Sequence, residues 1–461
     1  MRSLQKILPQ TTAILLTLSG ATTALAAGKP KPVVTLPDHV LNYAAKDSTQ
    51  AQLEFSYQVE FEFKKTSNPS MELARQKIEA QLTHLFGTMA AHPAPAVPLT
   101  DHSIADIHIT RKPGDSKMVY AQYRYSGTIA VKNGPSTSYE IVLPINADTV
   151  YADGMVGEKN PCTDPHYQEE GDFWYFWSPS RRGCQLVEGI HYVRIQAALS
   201  RTANTEKTYP EYDRLVGSDG IIRVSLFFGM DDVAKAIDPR RSADLSATNY
   251  RAIREKLIKL KYEAKRLSQT EIEGLTGATG ERTPFVEELT RKFKHATVAV
   301  RLFFGPSGFG EESKAFHHFV KDSLENDAVM IYDGHSGLGG NLDLESIEAS
   351  LNSPIKMDRN RYQILFFNSC TSYSYFNAKY LERKQSRRDP RGTKNLDIIT
   401  TGLATSFFTE NETNLALIQS IADWAAGKRV VSYQELARQI DTDNLLGVNG
   451  DEDNPTTPPR H

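Results

Sequence analysis

The sequence predicts an α/β protein in which a mostly parallel sheet, covered by helices on both faces, follows an α+β N-terminal domain. Beyond residue 297, apolar runs alternate with helix-like segments, which is the order of a parallel sheet with crossover helices. Runs such as "DAVMIY" and "YQILFF" are continuously apolar, as expected of strands buried on both faces. Residues 53–63 instead alternate apolar and polar side chains, which indicates a half-buried strand with one wet face.

The individual elements follow in chain order. In the N-terminal domain, helical spacing of apolar residues predicts a helix over 70–86, and the turn "KNGPS" separates two further strands. In the C-terminal domain, apolar runs predict strands and amphipathic segments predict helices. The two further strands of the N-terminal domain are 118–131 and 137–145. The predicted strands of the C-terminal domain are 221–229, 297–304, 327–332, 362–367 and 396–401. Its predicted helices are 249–267, 311–324, 343–350, 373–383 and 411–425.

Length and composition indicate a soluble protein of more than one domain. The chain has 461 residues, of which 40% are hydrophobic and 24% charged. Its formal net charge of −3 gives no reason to expect a nucleic-acid partner. The pattern changes divide the chain into five segments: a signal peptide (1–26), a linker (27–50), the α+β domain (51–215), the α/β domain (216–440) and a disordered acidic tail (441–461).

The N-terminus has the pattern of a secretory signal peptide. Arg2 and Lys6 precede an apolar run, and Ala24-Leu25-Ala26 has the small-residue form of a cleavage site. An uncleaved anchor is the alternative. We expect an exported protein, periplasmic or extracellular, with no integral membrane span after signal cleavage, because no later segment is long and apolar enough to span a bilayer.

Export affects how the three cysteines are interpreted, because cysteines tend to pair in an oxidising compartment. Cys162 and Cys184 flank one compact, aromatic-rich stretch, and we expect a disulfide between them. Cys370 is then the odd cysteine, which indicates an intermolecular bond or a reactive thiol, with an inert buried thiol as the alternative. The aromatic-rich N-terminal domain is a candidate surface for a protein partner, with ordinary core and surface packing as the alternative.

Two chemically active residues follow successive predicted strands. His335 comes after strand 327–332, and Cys370 comes after strand 362–367. Because the carboxyl ends of parallel strands share one edge of a sheet, we expect the imidazole and the thiol to lie close together. An imidazole can take the thiol proton and later protonate a leaving amine. We also expect Cys370 at the start of a helix, where the helix dipole favours a thiolate.

These motifs, "AVMIYDGHSG" and "YQILFFNSC", resemble the caspase-like cysteine peptidases, a clan that includes caspases, legumains, gingipains, clostripain and separase. The resemblance covers about residues 295–425. It implies that Cys370 is the nucleophile, that His335 is the general base and acid, and that no cofactor or metal is needed. The backbone N–H groups of Cys370 and of the residue after the histidine would bind the oxyanion. That residue is Ser336 where the clan has glycine, with Gly337 next.

The resemblance does not give every role or the substrate. Asp333 is a candidate to orient the imidazole, and simple solvation at a strand end is the alternative. The leading hypothesis is an exported cysteine endopeptidase that hydrolyses a polypeptide substrate through a Cys-His dyad and a thioester acyl-enzyme. The alternatives are a catalytically inactive caspase-like binding or scaffold protein of the cell envelope, and an α/β thiol hydrolase or transferase acting on a small acyl substrate.

Overall fold

The structure, a computed structural model, describes the following residues of the chain: 42–151, 161–202, 206–277, 283–308, 313–405 and 410–460, without the side chains of 410 and 411. The predicted signal peptide, residues 1–26, lies outside them, as does most of the predicted linker.

Fourteen strands and eleven helices are named in chain order. The strands are β1 (Ala44–Ala45), β2 (Ser48–Glu62), β3 (Ala96–Lys112), β4 (Asp115–Lys132), β5 (Ser138–Pro144), β6 (Tyr192–Arg201), β7 (Ile221–Gly229), β8 (Glu263–Arg266), β9 (Phe285–Lys292), β10 (Thr297–Gly305), β11 (Val329–Asp333), β12 (Gln363–Asn368), β13 (Leu396–Thr400) and β14 (Gly447–Asn449). The helices are α1 (Met71–Leu82), α2 (Leu85–Ala90), α3 (Ala147–Val150), α4 (Leu245–Lys259), α5 (Gln269–Thr276), α6 (Lys314–Asn326), α7 (Leu344–Leu351), α8 (Ser372–Phe376), α9 (Ala378–Lys384), α10 (Glu410–Ala425) and α11 (Tyr433–Ile440).

The larger sheet has nine described strands in the order β1-β14-β13-β12-β11-β7-β10-β9-β8. Strands β13, β12, β11, β7 and β10 are parallel, whereas the pairings at both edges are antiparallel. The predicted α/β class is confirmed, and the sheet is mixed rather than mostly parallel. The antiparallel edge strands include β8 and β14, both outside the predicted strands.

Helices cover this sheet on both faces, which explains the continuous apolar runs. Along β11, Val329 and Ile331 pack into one core with α4, α10 and α11. Met330 and Tyr332 point to the other face and pack into a second core with α6, α7 and α9. A strand that is buried on both faces has no polar side to show.

The smaller sheet is antiparallel, with the order β3-β4-β2-β6-β5. The predicted alternation of β2 is confirmed: Leu53, Phe55 and Phe61 are buried in a core that α1 covers, whereas Glu54 is exposed. All the described residues belong to one compact unit. The two sheets meet at α8, where Ser374 exchanges hydrogen bonds with β3.

The prediction of a disordered tail over 441–461 is wrong for its described residues. Strand β14 pairs with β13, and Leu445, Leu446 and Val448 are buried. The acidic composition is misleading because one of its carboxyl groups belongs to the core: Asp451 is fully buried, and its Oδ2 accepts hydrogen bonds from the Asn42 and Thr208 side chains.

Two other predicted boundaries differ from the structure. The linker 27–50 contains strand β1 and the first residues of β2, because it supplies the edge partner of β14. The helix predicted over 249–267 ends at Lys259, since Lys261 takes a left-handed backbone with φ of 66° and the chain continues as β8.

The predicted disulfide between Cys162 and Cys184 is confirmed, and Cys370 keeps its thiol. A disulfide agrees with export to an oxidising compartment. No helix among the described residues is both long and apolar enough to cross a membrane.

Two buried carboxyl groups should each contribute more stability to the folded state in mild acid than at neutral pH. Burial raises the pKa of Asp397 to about 8 and that of Asp451 to about 7, from 3.8 in both cases. For each group, between pH 3.8 and its raised pKa, the carboxyl is ionised in the unfolded chain and protonated in the folded protein. The free energy of unfolding should therefore fall as pH rises through this range. Each group contributes a slope of up to about 1.4 kcal/mol per pH unit. Chemical denaturation across this range measures the slope.

The matched variant for this prediction is Asp397→Asn, which has a neutral side chain at every pH. Its oxygen can still accept the hydrogen bonds from Tyr433 and Asn454. We expect a shallower decrease of stability with pH than in the wild type. Equal slopes in the two proteins would show that Asp397 does not titrate in this range.

Candidate active site

The site lies at the carboxyl edge of three neighbouring parallel strands, β7, β11 and β12. Asp333, at the end of β11, lies in register with Asn368 of β12 and with Phe228 of β7. His335 follows Asp333 by two residues and Cys370 follows Asn368 by two, so both leave the sheet at the same level. Neighbouring strands are about 4.8 Å apart, which places the two chain segments side by side.

The imidazole of His335 faces a carboxylate from the loop after β7. Oδ1 of Asp231 lies 3.0 Å from Nε2 of His335. Since an ionised carboxylate only accepts hydrogen bonds, Nε2 is the ring nitrogen that donates here, and Nδ1 is the one that can exchange a proton. The side chains of His335 and Asp231 are 51% and 32% exposed, so the pair is accessible to a substrate and to water.

Asp333, the residue proposed from the sequence as the orienter, lies in a different environment. It is fully buried, and its carboxylate accepts a hydrogen bond from the side chain of Asn414 on α10. Asn414 in turn accepts a hydrogen bond from Asn368 at 3.0 Å. This network ties the ends of β11 and β12 to α10, and it therefore fixes the level at which both site loops begin.

Hydrogen bonds within the loop after β11 hold the His335 backbone. The hydroxyl of Tyr332 and the side-chain amide of Asn341 both donate to the His335 carbonyl, at 2.7 and 2.8 Å. The carbonyl of Ser336 accepts the N–H groups of Gly339 and Asn341. The carbonyls of His335 and Ser336 are therefore both engaged by donors of the same loop, which closes it into a turn.

Ser336 stands where the caspase-like clan has glycine, and its conformation does not require glycine. The left-handed backbone begins at Gly337, with φ of 57°, where a Cβ would lie 2.4 Å from Oδ1 of Asn341. Serine at 336 therefore causes no backbone strain. Within the part of the chain that the structure describes, neither the Ser336 N–H nor the Gly337 N–H has a hydrogen-bond acceptor.

Cys370 occupies a tight elbow between β12 and α8. It is partly exposed, and its Sγ lies 3.7 Å from Oγ1 of Thr405. The next residue, Thr371, has a left-handed backbone with φ of 54°. The helix predicted over 373–383 is broken at Asn377 into α8 and α9, so α8 has only five residues and its dipole adds little to thiolate stability.

Three tyrosines lie close enough to Cys370 for its negative charge to affect their pKa. Burial and, after it, the charge of the Cys370 thiolate raise the pKa of Tyr167, Tyr175 and Tyr375. Of the three, Tyr175 is hydrogen-bonded to Thr371, the residue that follows Cys370. Tyr375 also packs beside Gly339 of the His335 loop, where a Cβ would lie 2.9 Å from its ring.

An open cleft of about 290 Å³ adjoins this aromatic group. Residues between 338 and 346 form one wall, and residues between 375 and 380 form the other. Tyr375 belongs both to the cleft and to the surroundings of Cys370. A chain bound with one residue at the thiol could therefore place a neighbouring residue in the cleft.

The sequence identified the histidine and the cysteine but missed Asp231 and Tyr175. Asp231 follows the "LFFG" end of β7, so the strand itself was predicted. The sequence did not predict that β7 lies beside β11, because the strand order in the sheet is not the order along the chain. Tyr175 comes from the disulfide loop, and no local sequence pattern predicts that this loop packs against the chain after Cys370.

Comparison with known proteins gives no match for this chain. No protein-family model, no curated protein and no solved structure resembles it closely enough to count as a match. The geometry of the site and the two sequence motifs are therefore the only indications of function among the described residues.

We predict that Asp231→Asn slows alkylation of Cys370 by iodoacetamide at neutral pH. The Asp231 carboxylate accepts a hydrogen bond from Nε2 and so orients the imidazole, and an oriented imidazole takes the thiol proton more readily. Loss of a hydrogen bond to a charged group should reduce the rate about ten-fold. Mass spectrometry of the labelled Cys370 peptide over time measures it.

Asp232→Asn is the matched control. Asp232 is adjacent in sequence, but its carboxylate pairs with Lys235 at 3.5 Å. We expect this variant to keep the wild-type alkylation rate. If both variants react as fast as the wild type, Asp231 does not act on the thiol through His335.

Proposed function

We propose that the protein is an exported cysteine endopeptidase in which Cys370 is the nucleophile, His335 the general base and acid, and Asp231 the residue that orients the imidazole. The observation that carries the proposal is that neighbouring strands β12, β11 and β7 bring these three side chains to one edge of the sheet. A thiol, an imidazole and a carboxylate in this order are the groups that covalent acyl transfer requires. The disulfide fits a periplasmic or extracellular location.

In the first half of the reaction, Nδ1 of His335 takes the thiol proton, and the Cys370 sulfur attacks the carbonyl carbon of the scissile peptide bond. The carbon–nitrogen bond then breaks, and the imidazolium gives its proton to the leaving amine. The product is a thioester between Cys370 and the acyl part of the substrate. Asp231 stabilises the imidazolium while it carries the proton.

The negative oxygen formed during attack needs hydrogen-bond donors. The backbone N–H groups of Ser336, Gly337 and Cys370 are the candidates. Those of Ser336 and Gly337 have no acceptor among the described residues, so neither would have to break a hydrogen bond to donate to an oxyanion. Donors fixed in a closed turn need no reorganisation when the charge develops, which is the source of their catalytic effect.

In the second half, water replaces the amine. His335 takes a proton from the water molecule, whose oxygen attacks the thioester carbon. The carbon–sulfur bond breaks, the sulfur regains its proton from the imidazolium, and the carboxylic acid product leaves. No cofactor or metal ion takes part in these steps.

We predict that the mature protein cleaves a library of peptides that vary in the residue before the scissile bond, and that Cys370→Ala abolishes this cleavage. Alanine removes the sulfur and keeps the backbone, so the circular dichroism spectrum should not change. Cleavage detected by mass spectrometry gives both the activity and the preferred residue.

The same experiment separates the alternatives. Cleavage that survives in Cys370→Ala would exclude Cys370 as the nucleophile. A wild-type protein with a reactive Cys370 but no cleavage of any peptide would favour a thiol hydrolase or transferase with a small acyl substrate. An unreactive thiol together with no cleavage would favour an inactive binding or scaffold protein.

A further inference from the structure

The residue that follows the proposed nucleophile has an unfavourable backbone. Thr371 takes a left-handed conformation with φ of 54°, although it is β-branched. Such a conformation is rare for this residue type and persists only where surrounding contacts impose it. Because Thr371 is bonded directly to Cys370, whatever holds Thr371 also sets the direction of the cysteine.

Three hydrogen bonds hold Thr371. Its N–H donates to the carbonyl of Leu403 at 3.1 Å, and its carbonyl accepts the N–H of Ser374 at 3.0 Å. Its side-chain hydroxyl is hydrogen-bonded to the hydroxyl of Tyr175. The first two contacts come from the larger sheet and its helices, whereas the third comes from the distant disulfide loop.

Tyr175 is itself held firmly in place. It is 5% exposed and closes a single helical turn that begins at Phe173. The hydroxyl of Thr163 donates to the Phe173 carbonyl at 2.8 Å, and the N–H of Ser178 donates to the carbonyl of Cys162 at 2.8 Å. The disulfide from Cys162 closes the loop around this turn.

We propose that Tyr175 is a positioning residue for Cys370, acting through Thr371, an inference that rests on the proposed role of Cys370 as nucleophile. The disulfide loop holds the Tyr175 hydroxyl, and the hydroxyl fixes the Thr371 side chain. The left-handed backbone of Thr371 then directs the Cys370 thiol toward the substrate side. The N-terminal part of the chain thus contributes to the site without touching the reacting atoms.

The location of Tyr175 supports a role beyond packing. Apart from burial, the largest influence on its pKa is the charge of the Cys370 thiolate, which raises it. The tyrosine therefore stays a neutral hydroxyl at the Thr371 side chain. The same loop carries Tyr167, whose ring packs against the Tyr175 ring in a tilted arrangement with centroids 5.3 Å apart.

Tyr175→Phe tests the proposal because it removes one hydroxyl and keeps the ring. The expected result is a slower alkylation of Cys370 by iodoacetamide, by about five-fold, as for the loss of one hydrogen bond. The pH dependence of alkylation should shift as well, and kcat for a cleaved peptide should fall while KM is unchanged. A purely structural role would instead lower the unfolding midpoint and leave the alkylation rate and its pH profile unchanged, and this result would overturn the proposal.

Variants at Thr371 test whether the effect passes through this residue. Thr371→Ser keeps the hydroxyl and should keep the wild-type alkylation rate, whereas Thr371→Val should resemble Tyr175→Phe. Thr371→Gly adopts the left-handed backbone without strain and has no hydroxyl. Tyr175→Phe should therefore have little further effect in the Thr371→Gly protein. An undiminished effect in that background would contradict the proposal.

The control is Tyr139→Phe. The Tyr139 hydroxyl donates to the carbonyl of Ala94 at 2.8 Å within the N-terminal part of the chain. This variant also loses one tyrosine hydrogen bond, and its Cys370 should be alkylated at the wild-type rate.

Alkylation reports on the thiol without peptide cleavage. Slower alkylation in Tyr175→Phe with no peptidase activity in any protein would therefore reject the endopeptidase and keep the positioning role. Peptidase activity that Tyr175→Phe leaves intact would reject the positioning role.

Discussion

The parallel register of β11 with its two neighbours is the constraint on which the site depends. Asp333 lies level with Asn368 on one side and with Phe228 on the other. Backbone hydrogen bonds fix both the spacing and the register of parallel strands, so residues that follow the strands by the same number of positions emerge together. A shift of one residue in either pairing would turn the side chains of a strand to the opposite face of the sheet. The sheet therefore sets the level at which the chain segments of His335 and Cys370 leave it side by side.

A buried polar network protects this register. The hydrogen bonds from Asn368 to Asn414 and from Asn414 to Asp333 link α10 to the last residues of β12 and β11. Polar groups in an apolar core are costly unless they are paired, and a paired network permits fewer arrangements than apolar contacts do. The network thus selects one alignment of helix and strands. Asp333 therefore acts within this network, whereas the carboxylate that contacts the His335 imidazole is that of Asp231, from the loop after β7.

Sequence patterns predicted those features that are encoded locally. Continuous apolar runs gave the central strands, and the residues after them gave His335 and Cys370. Features that depend on long-range packing were not predictable. Asp231 becomes part of the site only because β7 lies between β11 and β10, and acidic composition hid a buried strand in the segment that contains Asp451. Strand neighbours and the partners of buried charges are set by the whole fold, so no local pattern contains them.

The contact between the two sheets is directional, and this explains how the smaller sheet can influence the site. The Thr100 hydroxyl donates to the Ser374 carbonyl at 2.8 Å, and the Ser374 hydroxyl donates to the Pro98 carbonyl. Phe86 stacks on Tyr375 with ring centroids 6.0 Å apart and an angle of 10°. An apolar interface alone would tolerate sliding, whereas hydrogen bonds and stacked rings fix both distance and angle. Since α8 begins two residues after Cys370, the smaller sheet fixes the orientation of the chain that carries the thiol.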